Sequence, residues 1–150
     1  MPLARADLLA FLRAHRYAVQ ATVGRETGAQ AAVVGIAVAD NFEIVFDTTE
    51  MSRKARNLVH DQRIAFVIGG TGDGEERTVQ YEGVAERMAS ADKRVVEELY
   101  FRVFPEGRDR LSWNGIMHVR VQPLWLRYSD FRASPPVIVE LDAARLATLA

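Results

Sequence analysis

The 150 residues amount to the length of one domain, and 19 lysines and arginines against 20 aspartates and glutamates leave a net charge of −1, too balanced for a protein held to nucleic acid by bulk charge. With 49% hydrophobic and 26% charged residues, the chain has enough apolar side chains to offset ordering entropy, which excludes disorder for most of it. No apolar run approaches the ~20 residues that span a bilayer, so no membrane segment is expected.

Leu8, Phe11 and Leu12 share one helical face, which predicts a short amphipathic helix near residues 5 to 15. Tyr17, Val19, Ala21 and Val23 alternate with Ala18, Gln20 and Thr22, the period of a half-buried strand. Gly24 to Gly28 reads as a turn. Ala31 to Val38 is an apolar run that fits a strand buried on both faces, and Gly35 within it marks either a bulge or a close approach to the backbone. After the turn at Asp40-Asn41, Phe42, Ile44 and Phe46 alternate with Glu43, Val45 and Asp47.

The period then changes. Met51, Ala55, Leu58 and Val59 form a helix face, entered through Thr48, Thr49 and Ser52, whose hydroxyls suit a cap. Ile64 to Ile68 predicts a strand, Gly69 to Gly74 a hairpin loop, and Thr78 to Arg87 a fifth strand. Ser90 suits the cap of a third helix with Val95, Val96, Leu99, Tyr100 and Val103 inward, stopped by Pro105. A sixth strand runs from Trp113-Asn114-Gly115 to Val121, Pro123 interrupts it, and Trp125 to Tyr128 resumes it. Val137 to Leu141 is a short apolar segment, and Asp142 suits the cap of a last helix ending at Leu149. The first three strands follow each other through turns alone, which excludes a doubly wound parallel sheet. The expected fold is mainly β: a six- to seven-stranded antiparallel barrel with short flanking helices, over residues 1–150 as a single domain.

Cysteine is absent, which removes disulfides, thiolate zinc sites and a cysteine nucleophile. The start, Met1 to Asp7, lacks the basic and long apolar regions of a signal peptide, and a cytoplasmic location is expected. His15, His60 and His118 lack ligand spacing, so no metal site is expected. The informative stretch is Phe46 to Leu58. There a strand ends, hydroxyl residues follow, and Arg53 and Lys54 occupy the first helical turn. Free amides, hydroxyls and two cations converge as they would on a phosphate monoester. Cations at a helix N-terminus are also unfavourable without an anion. A solvated basic helix face is the equally weighted alternative.

Phe46-x-Thr48, Ser52-Arg53-Lys54 and Leu58 resemble the flavin-phosphate segment of the pyridoxamine 5′-phosphate oxidase-like family, the FMN-binding split barrels. Arg77-Thr78-Val79-Gln80-Tyr81-Glu82-Gly83 resembles the family's later Arg-Gln-Val-x-x-x-Gly strand, and Pro123 to Tyr128 the closing strand of its shorter members. The order of elements matches over about residues 5 to 131.

The resemblance implies a split barrel that binds FMN through Phe46, Asp47, Thr48, Ser52, Arg53, Lys54 and Thr78. Arg53 and Lys54 would hold the phosphate, with Thr48 and Ser52 donating to it. Asp47 and the Ala32 to Val34 backbone would flank the ring or ribityl chain, and Thr78 stands where the oxidases place a glutamine. It also implies a homodimer with cofactor sites between subunits and flavin-dependent redox chemistry on a small-molecule substrate; the near-balanced charge argues against a nucleic-acid partner. Trp113, Trp125, Tyr128 and Phe131 are candidate dimer contacts. After Tyr128 the chain reads Ser129-Asp130-Phe131-Arg132-Ala133-Ser134, without the oxidases' Arg-Leu-His-Asp-Arg-type motif, so their named activity is not expected. Members of the fold family that bind the deazaflavin F420 or heme offer alternatives, the latter with His118 or His60 as axial ligand. A non-catalytic flavin-binding, stress-associated protein is a third.

Overall fold

A computed structural model describes residues 3–88 and 90–150; Met1, Pro2, Ala89 and the side chain of Ser90, with the cap expected of it, lie outside the described residues. Eight strands form one sheet in the order β2-β1-β5-β6-β7-β4-β3: β1 (Tyr17–Gly24), β2 (Gly28–Gly35), β3 (Ala37–Val38), β4 (Ile44–Thr49), β5 (Arg63–Gly69), β6 (Arg77–Arg87) and β7 (Ile116–Asp130). The eighth, β8 (Val137–Asp142), pairs with the second half of β7. Every pairing is antiparallel, and the sheet curls into a split barrel in which β2 comes near β4 without forming a ladder with it.

The interior holds Phe46, Phe66 and Tyr81, whose rings meet edge to face, with Ile44, Ile64, Ile68, Val79, Val121 and Leu126. Helix α1 (Arg5–Ala14) seals one end with Leu8, Phe11 and Leu12, as their spacing predicts. Helix α2 (Arg53–His60) crosses the other end. Helix α3 (Ser90–Val103) and a 3-10 turn, Pro105–Ser112, cover the outer face of β3, β4 and β7. Asp142 caps the short α4 (Ala143–Thr148) by accepting from the Arg145 amide at 2.8 Å.

Several sequence expectations are corrected. Strand β2 is not buried on both faces: it is the last strand of the sheet, and Ala31 and Val33 are exposed. Phe42 precedes β4 in a left-handed conformation (φ 67°), closing the Asp40-Asn41 turn. Met51 lies before α2, and both it and Val59 are exposed, so the apolar face read there is not a buried one. Val95 is exposed, while Val96, Tyr100, Phe101 and Phe104 are the buried residues of the α3 layer. Pro123 does not break β7; a register shift opposite Glu82 and Gly83 absorbs it. Tyr128 is a core residue packed edge to face on Phe11, which removes it from the candidate dimer contacts.

Of the two readings of Gly35, the close approach holds. A Cβ there would lie 2.6 Å from Cζ of Phe104, a buried ring stacked on Tyr100. Gly35→Ala therefore overpacks this contact and is expected to lower stability by about 1–3 kcal/mol in urea denaturation. Unchanged stability would show that the Phe104 ring moves aside freely.

Candidate functional site

Two consecutive hydroxyl contacts shape the start of α2. Ser52 is the N-cap, its Oγ accepting from the Ala55 amide at 3.2 Å. Thr48 Oγ1, at the end of β4, donates to the same Oγ at 2.8 Å. The Ser52 oxygen thus accepts twice, and its own proton is left to donate outward. Helix geometry leaves the Arg53 and Lys54 amides without intrahelical acceptors. Arg53, Lys54 and Arg56 have no ion-pair partner among the described residues. Three cations without ion-pair partners, two free amides and a hydroxyl proton are thus carried by residues 52–56 at one helix end, an arrangement suited to a dianionic phosphate.

The helix is fixed by polar bonds more than by burial. Of its residues only Ala55 and Asn57 are buried. Asn57 Nδ2 donates to Thr22 Oγ1 at 3.0 Å and to Gln30 Oε1 at 3.1 Å, tying α2 to β1 and β2. On its other flank, Ala55, Leu58 and Val59 face a cavity of about 400 Å³ walled by Ala85, Met117 and Val119, with Glu50 and Arg87 paired at its edge.

The remaining expected residues lie elsewhere. Phe46 is wholly buried and belongs to the core. Asp47 points out of the barrel towards α3, where it accepts from Tyr100 Oη at 2.9 Å and Arg110 Nε at 2.8 Å. Thr78 stands at the start of β6, paired with Gly69 and Ser129. Thr48 pairs with Met117, beyond the Arg87 end of the same sheet. The two are separated by the length of β6, roughly 30 Å along the strand.

The Asp47 cluster was not legible from spacing, because its members lie on β4, β7, α3 and the 3-10 turn. His118 faces Asp47 across the β4–β7 ladder and is enclosed by the rings of Tyr100 and Phe101. Its Nδ1 is 3.8 Å from Glu97 Oε1, and Lys93 reaches the same oxygen at 3.7 Å. Burial depresses the His118 pKa, opposed by the carboxylates of Glu97 and Asp47. Burial likewise raises the Tyr100 hydroxyl pKa, with Asp47 adding to it. Among the described residues, no group of three or more His, Asp or Glu side chains is arranged to hold a metal ion, and no helix is long and apolar enough to cross a membrane.

The family model described as pyridoxamine 5′-phosphate oxidase matches residues 4–125. The chain belongs to the pyridoxamine 5′-phosphate oxidase family. No curated protein matches it by sequence. Among solved structures it is similar to a heme-binding protein from Mycobacterium smegmatis, at 15% identity and TM-score 0.82, over 99% of this chain and 62% of that one. The chain thus spans less than two thirds of that protein. It is also similar to a conserved hypothetical protein from Mycobacterium tuberculosis, at 25% identity and TM-score 0.72 over 88% of each chain. A third is a pyridoxamine 5′-phosphate oxidase-related, FMN-binding protein from Nostoc punctiforme, at 14% identity and TM-score 0.69, over 91% of this chain and 87% of that one. Membership of the pyridoxamine 5′-phosphate oxidase family therefore goes with a fold whose solved examples are named for heme as well as for FMN.

The buried histidine generates a pH prediction. With its folded pKa below the ordinary value near 6.5, the unfolded chain binds more protons than the folded one below that pH. The His118 contribution is complete above pH 6.5 and is lost as pH falls towards the folded pKa. Urea denaturation between pH 7 and pH 5 should show stability falling more steeply in the wild type than in His118→Gln; equal slopes would contradict the assignment.

Proposed function

We propose that this member of the pyridoxamine 5′-phosphate oxidase family binds FMN, with the phosphate on the first turn of α2, and works in flavin-dependent redox chemistry on a small-molecule substrate. The observation that carries this reading is the grouping, within residues 52–56 at one helix end, of Arg53, Lys54 and Arg56, all without ion-pair partners among the described residues, with the Ser52 hydroxyl and the free amides of the first turn. These residues fit a phosphate dianion: the cations neutralise it, and the amides and hydroxyl fix its oxygens. Bound FMN would supply the electron chemistry through its ring, and the chain would supply binding and orientation.

The same geometry supports a site shared between two protomers. Thr78 stands near one end of β6 and Thr48 is level with the other, so a flavin that touched Thr78 would be one held by the α2 of another protomer. The outer face of the barrel supports such pairing. Val33, Val19 and Val67 lie side by side across β2, β1 and β5, and Ala31, Ala21 and Ala65 form the next row. Val33 is 66% exposed and Val67 42%, and Leu124 and Trp125 extend the patch. A contiguous apolar face of this kind suits a homodimer.

Heme is the less favoured cofactor. His118 is enclosed beneath α3, with no open face for an iron to approach, and His60 stands exposed at the far end of α2. The stretch Ser129 to Ser134 holds an Asp130–Arg132 ion pair at 2.6 Å in place of the oxidases' substrate motif, which favours a substrate other than pyridoxamine 5′-phosphate.

Two measurements test this reading. Losing one charge-assisted contact of roughly 1.5–3 kcal/mol, Lys54→Ala should weaken FMN binding about ten- to a hundredfold in a fluorescence titration and leave riboflavin binding unchanged. Equal weakening of both ligands would make α2 a solvated basic face. By sedimentation the wild type should have a mass near twice 16.8 kDa, and Val67→Arg should shift it to the monomer and lose FMN. A wild-type monomer that binds FMN fully would contradict the shared site.

A further inference from the structure

We propose that Asn57, through Thr22 and Gln30, is a positioning residue that gives α2 its selectivity for a phosphorylated ligand. The inference rests on the FMN reading and adds a determinant that touches no ligand in it. Helix α2 has eight residues, of which only Ala55 and Asn57 are buried. A helix this short is not stable alone and takes its orientation from what it packs on. On the β6–β7 flank Ala55 is buried and Leu58 packs partly on the core, but the helix also borders the 400 Å³ cavity, which leaves its rotation only loosely fixed by packing there. On the β1–β2 flank a single side-chain amide makes both contacts, 3.0 Å to Thr22 Oγ1 and 3.1 Å to Gln30 Oε1.

Arg53 stands four residues before Asn57 and therefore on the same face of the helix. Rotation of α2 about its axis would carry Arg53 and Lys54 away from a common point. The Thr48–Ser52 contact tethers the helix to one strand at its start, and the clamp one turn later fixes its rotation by binding it to two further strands at once. Thr22 and Asn57 are both buried, so water cannot readily replace the lost bond in a variant.

The test compares FMN with riboflavin on the full chain. Dissociation constants for both flavins are measured by fluorescence quenching in the wild type, Asn57→Ala, Thr22→Val and Thr22→Ser, with thermal unfolding of each protein without ligand. The expected result is a fall of about tenfold in the preference for FMN in Asn57→Ala and Thr22→Val, with riboflavin binding unchanged. Thr22→Ser, which keeps the acceptor oxygen, should retain the wild-type preference. If the first two variants lose thermal stability but keep the full preference, the clamp is structural only and the proposal is overturned, while the FMN reading stands. If Asn57→Ala does not fold, the near-isosteric Thr22→Val decides the matter alone. A wild type without preference for FMN would overturn the reading and the proposal together.

Discussion

Strand β1 turns Ala18, Gln20 and Thr22 into the barrel and leaves Tyr17, Val19, Ala21 and Val23 on its outer face. For a sheet with one face in water this is inverted, since the more apolar side ordinarily faces the core. Both halves of the functional reading depend on it. Inside, the polar row gives Asn57 of α2 a buried acceptor in Thr22, so a helix with little apolar surface is held across the barrel mouth. Outside, the apolar row continues into Val33 and Val67 and leaves a surface whose burial would stabilise a pair of protomers.

The start of α2 carries an electrostatic conflict. Three cations, with no ion-pair partner among the described residues, gather where the helix dipole is positive, and the acidic residues that usually occupy a first turn are absent. Other cations of the chain are neutralised within the fold: Arg63 meets Asp61 at 2.6 Å and holds that carboxyl at a pKa of about 2, and Arg120 contacts Glu43, Glu86 and Asp92. A bound phosphate resolves the conflict by supplying the missing negative charge. The Asp47–Arg110–Tyr100 network beneath α3 is the opposite case, with its charges paired inside the fold.

Much of this was legible in the sequence, and the exceptions share a cause. Strands β1, β5 and β6 and helices α1 and α4 follow from local period and capping, which neighbouring residues determine. The hydroxyl cap at Ser52 was visible because its partners lie within four residues. Gln20 and Thr22 form the polar row of β1, and nothing local says that a residue 35 positions later needs a buried acceptor. Met51 and Val59 matched a helical face yet are exposed, because α2 begins after Met51 and packs through Asn57 instead. Asp47, next to Thr48 in sequence, faces the other side of the sheet by strand alternation and so joins α3 rather than the helix start. The family resemblance drew Asp47 and Thr78 into one list of residues; the fold distributes them between two faces and two ends.

The central claim, that α2 is a phosphate cradle for a flavin, is tested most directly by the visible absorption spectrum of the freshly purified protein, read again after excess FMN is added and the unbound ligand removed. The account predicts the two-banded spectrum of an oxidised flavin that stays with the protein, in a stoichiometry of one flavin per chain. A protein that retains no flavin after this treatment, or that carries the Soret band of heme or the spectrum of a deazaflavin instead, would contradict it.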